Sequence, residues 1–258
     1  MEHLRKILKH MSNTNTKTYY QFILDNSSSM APCWLQTLSA YNEHLDEIKQ
    51  IVKKYPEQEI HVSLCTFNNT VLHPRIDQPI HEFNYLRSRD IDPKGMTALL
   101  DAIGTSVDRI RESHGAEIDA NKASVVCIIL TDGEENASRF YGFPQIARLI
   151  EDLEATEKWS FTFIGADIDA WRIGRMLNIK MNKSVSIDKR NMKASMSNLS
   201  DAMEMYMSMK STGGKFDFLM NEKEENEEWG MENEKSLQLF YRFHETNKTR
   251  IHEHDYNH

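Results

Sequence analysis

The stretch Asp25-Asn-Ser27-Ser-Ser29 places one carboxylate and two hydroxyls on alternate residues, directly after an apolar run. A turn would explain the hydroxyls, because Asp, Asn and Ser side chains bond to their own backbone in turns. A turn does not explain the spacing, which sets a hard oxygen ligand at every second residue. The stretch alone therefore leaves two interpretations open, an ordinary turn or part of a metal site.

Two further segments carry oxygen ligands where an element begins or ends. Thr97 follows Gly95 in GMTALL, where the glycine allows a close turn and the hydroxyl falls at the start of a helical pattern. Asp132 follows the apolar run SVVCIILT, and Gly133 frees the backbone to turn after it. Taken singly, Thr97 is an ordinary helix N-cap and Thr-Asp-Gly an ordinary strand exit. Three such segments in one chain favour a shared metal site.

The ligand types predict which metal such a site would hold. Asp, Ser and Thr oxygens are hard ligands that suit Mg²⁺ rather than zinc. Two carboxylates and three hydroxyls also carry less negative charge than a closed calcium cage, so the metal stays electrophilic and accepts a carboxylate from outside. We therefore expect Asp25, Ser27, Ser29, Thr97 and Asp132 to hold Mg²⁺, with Mn²⁺ or Ca²⁺ as substitutes.

A sheet must bring these segments together, and the hydropathy pattern predicts one. Apolar runs predict strands at 19–25, 59–67, 70–75, 123–131, 159–166 and 180–187. Helical spacing of apolar residues predicts helices at 34–54, 97–113, 143–157 and 192–210.

This alternation, with near-continuous apolar strands, predicts an α/β fold: a doubly wound, mostly parallel sheet with helices on both faces. The pair Asn68-Asn69 predicts a hairpin, and with it one antiparallel edge strand. Ligands of such sheets bind outside the carboxyl ends of the strands, where the strand order reverses.

The pattern divides the chain into four segments. We expect a short helix or arm at 1–17, the α/β domain at 18–190, an additional methionine-rich helix packed on it at 191–212, and an acidic linker with a C-terminal tail at 213–258. Between Asn221 and Lys235 there are seven glutamates and two lysines, a net charge of −5. This stretch has too little apolar content to pack, which predicts disorder.

Composition excludes several classes of protein. The net charge of −8 comes without a basic stripe, so nucleic acid is not the expected partner. The longest apolar run, Val125 to Leu130, is far too short to span a membrane, and MEHLRKILKH lacks the apolar core of a secretory signal. Three widely spaced cysteines indicate free thiols and a cytoplasmic protein.

With these motifs the chain resembles the von Willebrand factor type A (vWA) family, as an intracellular, bacterial-type member with an intact metal-ion-dependent adhesion site (MIDAS). The family's D-x-S-x-S, G-x-T-x-L-type loop and T-D-G read here as DNSSS, GMTAL and TDG. The resemblance covers about 18–190. It implies that the five residues are ligands or near-ligands, with Asp132 bound directly or through a water. Ser28 and Met96 stand where many members have glycine, and both narrow the approach to the metal.

The resemblance implies a non-enzymatic, divalent-metal-dependent protein–protein interaction module that binds an Asp or Glu of a partner through the metal. Intracellular members of the family work beside AAA+ ATPases or kinases, and some belong to stress-response or phage-defence systems. An adaptor in such a multi-protein system is therefore expected. Glu134 and Glu135 follow Asp132 closely and would lie at the edge of the metal site, although a solvated charged loop explains them equally well.

The alternative function is a Mg²⁺-dependent phosphoryl hydrolase that uses the same metal site. Such an enzyme needs a general base, and no histidine lies within a few residues of Asp25, Thr97 or Asp132. His73 and His114 are the candidates that the fold would have to bring close.

Overall fold

The computed structural model describes residues 15–212 and Phe218. The predicted N-terminal arm therefore lies almost wholly outside the described residues, as does the acidic linker and tail except for Phe218. The strands are β1 (Lys17–Asp25), β2 (Glu59–Phe67), β3 (Val71–Pro79), β4 (Ala123–Thr131), β5 (Trp159–Ala166) and β6 (Ser184–Ile187). The α-helices are α1 (Trp34–Val52), α2 (Leu99–Asp119), α3 (Phe143–Glu154), α4 (Ala170–Met176) and α5 (Met192–Ser211).

These strands form one six-stranded sheet in the order β3-β2-β1-β4-β5-β6. Only the β2–β3 pair is antiparallel, and β3 lies at the edge of the sheet, which confirms the predicted fold class and hairpin. The chain moves outward from β1 to β3 and then returns to the other side of β1 as β4. The strand order thus reverses between β1 and β4, so their carboxyl ends form the crevice where ligands of such sheets bind.

Helices cover both faces of the sheet because its strands are apolar on both sides. One core joins α1 and α5 to one face of β1, through Tyr20, Phe22 and Leu24. A second core joins α2, α3 and α4 to the other face, which includes Tyr19 and Ile23. Burying both faces fixes the register of β1, because a slip of one residue would exchange its two side-chain sets.

Helix α5 is attached to the sheet by buried polar contacts as well as by its methionines. The ring of His44, on α1, lies between Tyr20 Oη at 2.9 Å and Ser200 Oγ at 2.7 Å. Burial lowers the pKa of His44 to about 3, so the ring is neutral in the folded protein. Further along α5, Lys210 Nζ donates to Lys17 O and Thr18 Oγ1, both at 2.7 Å.

The predicted helix at 97–113 is observed, as α2, from Leu99 to Asp119. Three other differences from the predicted elements exceed a shift of three residues at an end. Strand β3 runs on to Pro79 rather than ending at residue 75, since its pairing with β2 continues past an irregularity where Asp77 has φ 49°. Strand β6 begins only at Ser184, because Met181–Lys183 forms a 3-10 turn. Helix α4 is absent from the prediction, because its seven residues span too few turns to show a period.

Two further predictions bear on the class of protein. Cys33, Cys65 and Cys127 are free and buried, as predicted. Within residues 15–212, no helix combines the length and apolar character that crossing a membrane requires.

Candidate metal centre

The five predicted ligands come from three segments at the carboxyl edge of the central strands. Asp25 ends β1, Ser27 and Ser29 lie in the loop that follows it, Thr97 precedes α2, and Asp132 follows β4. Ser27 Oγ and Ser29 Oγ are 3.0 Å apart, and Ser29 Oγ donates to Asp132 Oδ1 at 2.6 Å. We call the side-chain oxygens of these five residues the oxygen cluster.

Gly133 shows how closely the oxygen cluster converges. A methyl group placed on Gly133 would lie 3.0 Å from Thr97 Oγ1, 3.6 Å from Ser29 Oγ and 3.8 Å from Asp25 Oδ2. Oxygens from two of the three segments therefore face one small space, which glycine leaves open, and Ser29 Oγ connects them to Asp132 of the third. Carboxylate and hydroxyl oxygens around a single point fit the ligand preference of Mg²⁺. Among the described residues no group of three or more His, Cys, Asp or Glu side chains is arranged to hold a metal. Three of the five side chains of the oxygen cluster are hydroxyls.

Asp25 is a buried carboxylate that the surrounding donors orient. Its Oδ1 accepts the backbone N–H of Ser27 at 2.7 Å, and its Oδ2 accepts the hydroxyl of Thr131 at 2.5 Å. Burial raises the pKa of Asp25 to about 6, although these hydrogen bonds lower it, and the nearby charge of Asp132 adds to the rise. An oriented carboxylate that is short of compensating charge is a good partner for a cation.

Lys189 is a member of the site that sequence reasoning missed. It follows β6, and its Nζ lies 2.7 Å from Asp132 Oδ2, an oxygen that accepts no hydrogen bond of normal geometry from the described residues. Burial lowers the pKa of Lys189, but the contact with Asp132, together with the nearby Cys33 and Asp167, offsets burial, and the pKa lies above its ordinary value. Lys189 is therefore charged at neutral pH and pairs with Asp132.

The loop after Asp132 is clamped to the start of α2. The Asp101 carboxylate accepts the backbone N–H groups of Arg139 at 2.8 Å, Phe140 at 2.9 Å and Tyr141 at 3.0 Å. Asn136 adds a second connection, because its side-chain oxygen accepts Thr97 N–H at 2.8 Å while its own N–H donates to Thr97 O at 3.0 Å. The clamp thus fixes Thr97 relative to Asp132.

The two glutamates beside Asp132 have separate roles. Glu135 is committed to the clamp, since it accepts the backbone N–H of Leu100 at 3.0 Å and of Ser138 at 2.7 Å. The sequence suggested that Glu135 lies either at the edge of the metal site or in a solvated loop. The structure shows neither, because the carboxylate binds backbone N–H groups. Glu134 makes an exposed ion pair with Arg172 on α4.

The loop before Thr97 depends on Gly95. This glycine has φ 81°, and a methyl group there would lie 2.0 Å from Asn69 Oδ1, so any other side chain would be strained and would clash. Asn69 Oδ1 accepts the N–H of Met96 at 2.8 Å, and Gly95 O accepts the N–H of Ser28 at 3.0 Å. The hairpin between β2 and β3 thereby supports the loop that presents Thr97.

The two histidines considered as general bases lie elsewhere. The ring of His114 stacks on Tyr19 with centroids 4.0 Å apart. Tyr19 is six residues before Asp25 on β1, about 20 Å along a strand. His73 is on the edge strand β3, where burial, with a contribution from the charge of Arg109, lowers its pKa to about 4. Neither ring is brought to the oxygen cluster.

Sequence signals existed for some of the residues that were missed. Thr131 is the first residue of the Thr-Asp-Gly motif. Its hydroxyl donates to Asp25 and orients that carboxylate. Lys189 follows a strand, where ligands of such sheets are expected, but β6 is two strands away from β4 and only the folded loop brings it back. Asp101 lies inside a helical pattern and gives no signal.

No family model matches the sequence. No curated protein matches it either. Among solved structures, the chain is similar to the vWF domain of the type V pili tip protein Mfa5 from Porphyromonas gingivalis, with a TM-score of 0.52 and 8% identity over 74% of this chain and 96% of that one. This likeness shows a fold of the von Willebrand factor A type.

Two other similar structures are larger proteins. One is proximal thread matrix protein 1 from the mussel byssus with a zinc-occupied MIDAS motif, at a TM-score of 0.47 and 16% identity over 74% of this chain. The other is the ArnB paralog VWA2 from Sulfolobus acidocaldarius, at a TM-score of 0.47 and 17% identity over 72% of this chain. The chain spans 46% of the length of each of these proteins, and likewise of another crystal form of the byssus protein.

Proposed function

We propose that the protein is a divalent-metal-dependent protein–protein interaction module whose metal, Mg²⁺ in the cell, is held by Asp25, Ser27, Ser29, Thr97 and Asp132. One observation carries the proposal: oxygens of Asp25, Ser29 and Thr97 face the same small space beside Gly133, and Ser29 donates to Asp132 at 2.6 Å. Asp25 and Asp132 lie at the carboxyl ends of β1 and β4, at the point where the strand order reverses.

The residues of the site prepare it for a cation and for an acidic ligand. Bound Mg²⁺ would supply an electrophilic position for a partner's Asp or Glu carboxylate. Thr131 and the Ser27 backbone N–H hold Asp25 in place. Asn136, in the loop that Asp101 binds, holds Thr97. Because these supports already exist in the fold, ordering the site on binding costs little conformational entropy.

Exposed apolar side chains favour a protein partner over a small anion. Met96 directly precedes Thr97 and is 49% exposed, and Phe140, in the loop after Asp132, is 78% exposed. Leu35, in the first turn of α1 after the serine loop, is 69% exposed. Aromatic residues and methionine are enriched at protein interfaces, and here Met96 and Phe140 lie on the loops that carry Thr97 and Asp132.

The cellular role is proposed from the sequence alone. We take the protein to be a cytoplasmic adaptor in a stress-response or phage-defence type system, beside an AAA+ ATPase or a kinase. A phosphoryl hydrolase built on the same oxygens would require a general base there, and the two histidines that were candidates lie elsewhere in the described structure.

Partner capture from a lysate of the source organism tests the proposed function. The bait is wild type in Mg²⁺, wild type in EDTA, and Asp25→Asn in Mg²⁺. Asp92→Asn is the matched control, since Asp92 is an exposed carboxylate whose side chain is 77% accessible. A partner retained by wild type and Asp92→Asn in Mg²⁺, and lost in the other two cases, is expected. Equal capture in all cases would contradict the proposal.

A further inference from the structure

Lys189 reaches the oxygen cluster from the side of the sheet that carries β6. Its side chain is 22% exposed, whereas the Asp132 side chain that it contacts is 0% exposed. The backbone of Lys189 is fixed by a hydrogen bond to Asp167 Oδ1 at 3.1 Å, and the next residue is held by Asp188, whose Oδ1 accepts Arg190 N–H at 2.8 Å. The ammonium therefore sits at Asp132 because the fold places it there.

We propose that Lys189 is an internal cation that competes with the divalent metal for Asp132. The inference rests on the proposed function and adds a residue that sets how tightly the metal is held. Asp132 Oδ1 accepts the hydroxyl of Ser29 at 2.6 Å, whereas Oδ2 accepts no hydrogen bond of normal geometry from the described residues. Lys189 Nζ lies 2.7 Å from that same oxygen.

The charges of the site give the direction of the effect. Asp25 and Asp132 together carry two negative charges, which a divalent ion alone would neutralise. With Lys189 in place, the metal-loaded site instead has one positive charge in excess. Asp167, the other carboxylate beside Lys189, is exposed, and water screens its charge. Two cations beside Asp132 repel each other, so Lys189 weakens the hold of the protein on its metal and leaves a net charge that attracts an acidic partner.

The same contact protects the protein when metal is absent. A carboxylate buried without a counter-ion destabilises a fold, and Lys189 supplies that counter-ion to Asp132. Removing the lysine should therefore have two opposite effects, a less stable metal-free protein and a tighter metal complex. If Lys189 only shaped the loop, its removal would lower both the stability of the metal-free protein and its affinity for the metal.

The experiment is a calorimetric titration with Mn²⁺, combined with thermal unfolding in EDTA and in saturating Mn²⁺. The variants are Lys189→Met, which removes the charge, and Lys189→Arg, which keeps it. Lys189→Gln is a second neutral variant that keeps a polar group near Asp132 if the methionine variant does not fold. Lys193→Met is the matched control, because Lys193 makes an exposed ion pair with Glu43 at 2.8 Å near the same end of α5.

We expect the neutral variants to bind Mn²⁺ about tenfold more tightly than wild type, because they remove a like charge a few ångströms from the metal. Their melting temperature should fall in EDTA and recover in Mn²⁺, whereas Lys189→Arg and Lys193→Met should resemble wild type. Binding by the neutral variants alone would also support the proposal. Unchanged or weaker binding by the neutral variants, with wild type binding Mn²⁺, would overturn it. Absence of binding by every protein would overturn the proposed function as well.

Discussion

Ser29 and Asp132, 103 residues apart in the chain, are joined by a hydrogen bond of 2.6 Å. Ser29 belongs to the loop after β1, and Asp132 follows β4. Strands β1 and β4 are neighbours in the sheet. Two segments that a motif search treats separately thus form one site, in which a hydroxyl donates to the carboxylate of the other segment. The predictions below test how the parts of this site depend on one another.

Gly133→Ala should abolish metal binding while the fold survives. The added methyl group would lie 3.0 Å from Thr97 Oγ1 and fill the space that the oxygen cluster faces. Crowding of this kind typically costs about 1–3 kcal/mol, which a protein of ordinary stability tolerates. The measurement is Mn²⁺ titration alongside circular dichroism.

Gly115→Ala is the control for that substitution. Gly115 lies within α2, and a methyl group there meets nothing within 4 Å. Alanine should stabilise the helix by about 0.5–1 kcal/mol and leave metal affinity unchanged. Full Mn²⁺ binding by Gly133→Ala would show that the space beside Gly133 is not where the metal is held.

Thr131→Val should weaken both the fold and the metal site. Valine has the shape of threonine but leaves Asp25 Oδ2 without its 2.5 Å donor, a loss of about 1–3 kcal/mol for a buried acceptor. The pKa of Asp25 should rise further, so a smaller fraction is charged and Mn²⁺ binds less tightly. Urea denaturation and Mn²⁺ titration at neutral pH measure the two effects.

Thr162→Val provides the comparison. Thr162 is also buried in a strand, and its hydroxyl has no hydrogen-bond partner among the described residues. The same substitution there should be neutral or stabilising, because it removes an unsatisfied polar group. Equal losses of stability at both positions would mean that the Thr131–Asp25 bond has no special role.

Asp101→Asn should loosen the loop after Asp132 while changing none of the five residues of the oxygen cluster. The carboxylate accepts three backbone N–H groups, and an amide can accept on only one of its two sides. We expect a loss of about 1–3 kcal/mol and faster amide exchange at Arg139, Phe140 and Tyr141. Asp119→Asn, at the exposed end of the same helix, should change neither quantity. Undiminished protection of the three amides would refute the clamp.

Acid should destabilise the protein partly through His44. Its pKa is about 3 in the folded state, against an ordinary 6.5, so the unfolded chain binds a proton first as pH falls. The stability that His44 contributes is complete above pH 6.5 and is lost as pH falls from there through 3. Between pH 7 and 5, wild type should lose about 2 kcal/mol more than His44→Gln, measured by urea denaturation. Parallel pH dependence of the two proteins would contradict a neutral, buried His44.

The sequence predicted the sheet and the residues that meet at its edge for clear physical reasons. Strand β4 is buried throughout and apolar from Val125 to Leu130, and this long apolar run makes it easy to recognise in the sequence. The ligands follow strands β1 and β4 directly, so knowing the fold is enough to bring Asp25 and Asp132 together. Their role in binding a metal stays a prediction.

The rest of the site depends on contacts that no local pattern records. Lys189 contacts Asp132 although β6, which it follows, is separated in the sheet from β4 by β5. Asp101 and Glu135 are charged residues in a helix and a loop, and only tertiary structure shows that they bind backbone N–H groups. Helix α4, of seven residues, is too short to show a periodic pattern.

The measurement that tests the central claim most directly is a calorimetric titration of wild type and Asp25→Asn with Mn²⁺ at neutral pH. Asparagine keeps the shape of the side chain but removes its charge. We predict one bound Mn²⁺ per wild-type chain, and an affinity lower by about 100-fold in Asp25→Asn, a loss of about 3 kcal/mol. Equal affinity in both proteins, or no binding by wild type, would contradict a metal centre at Asp25.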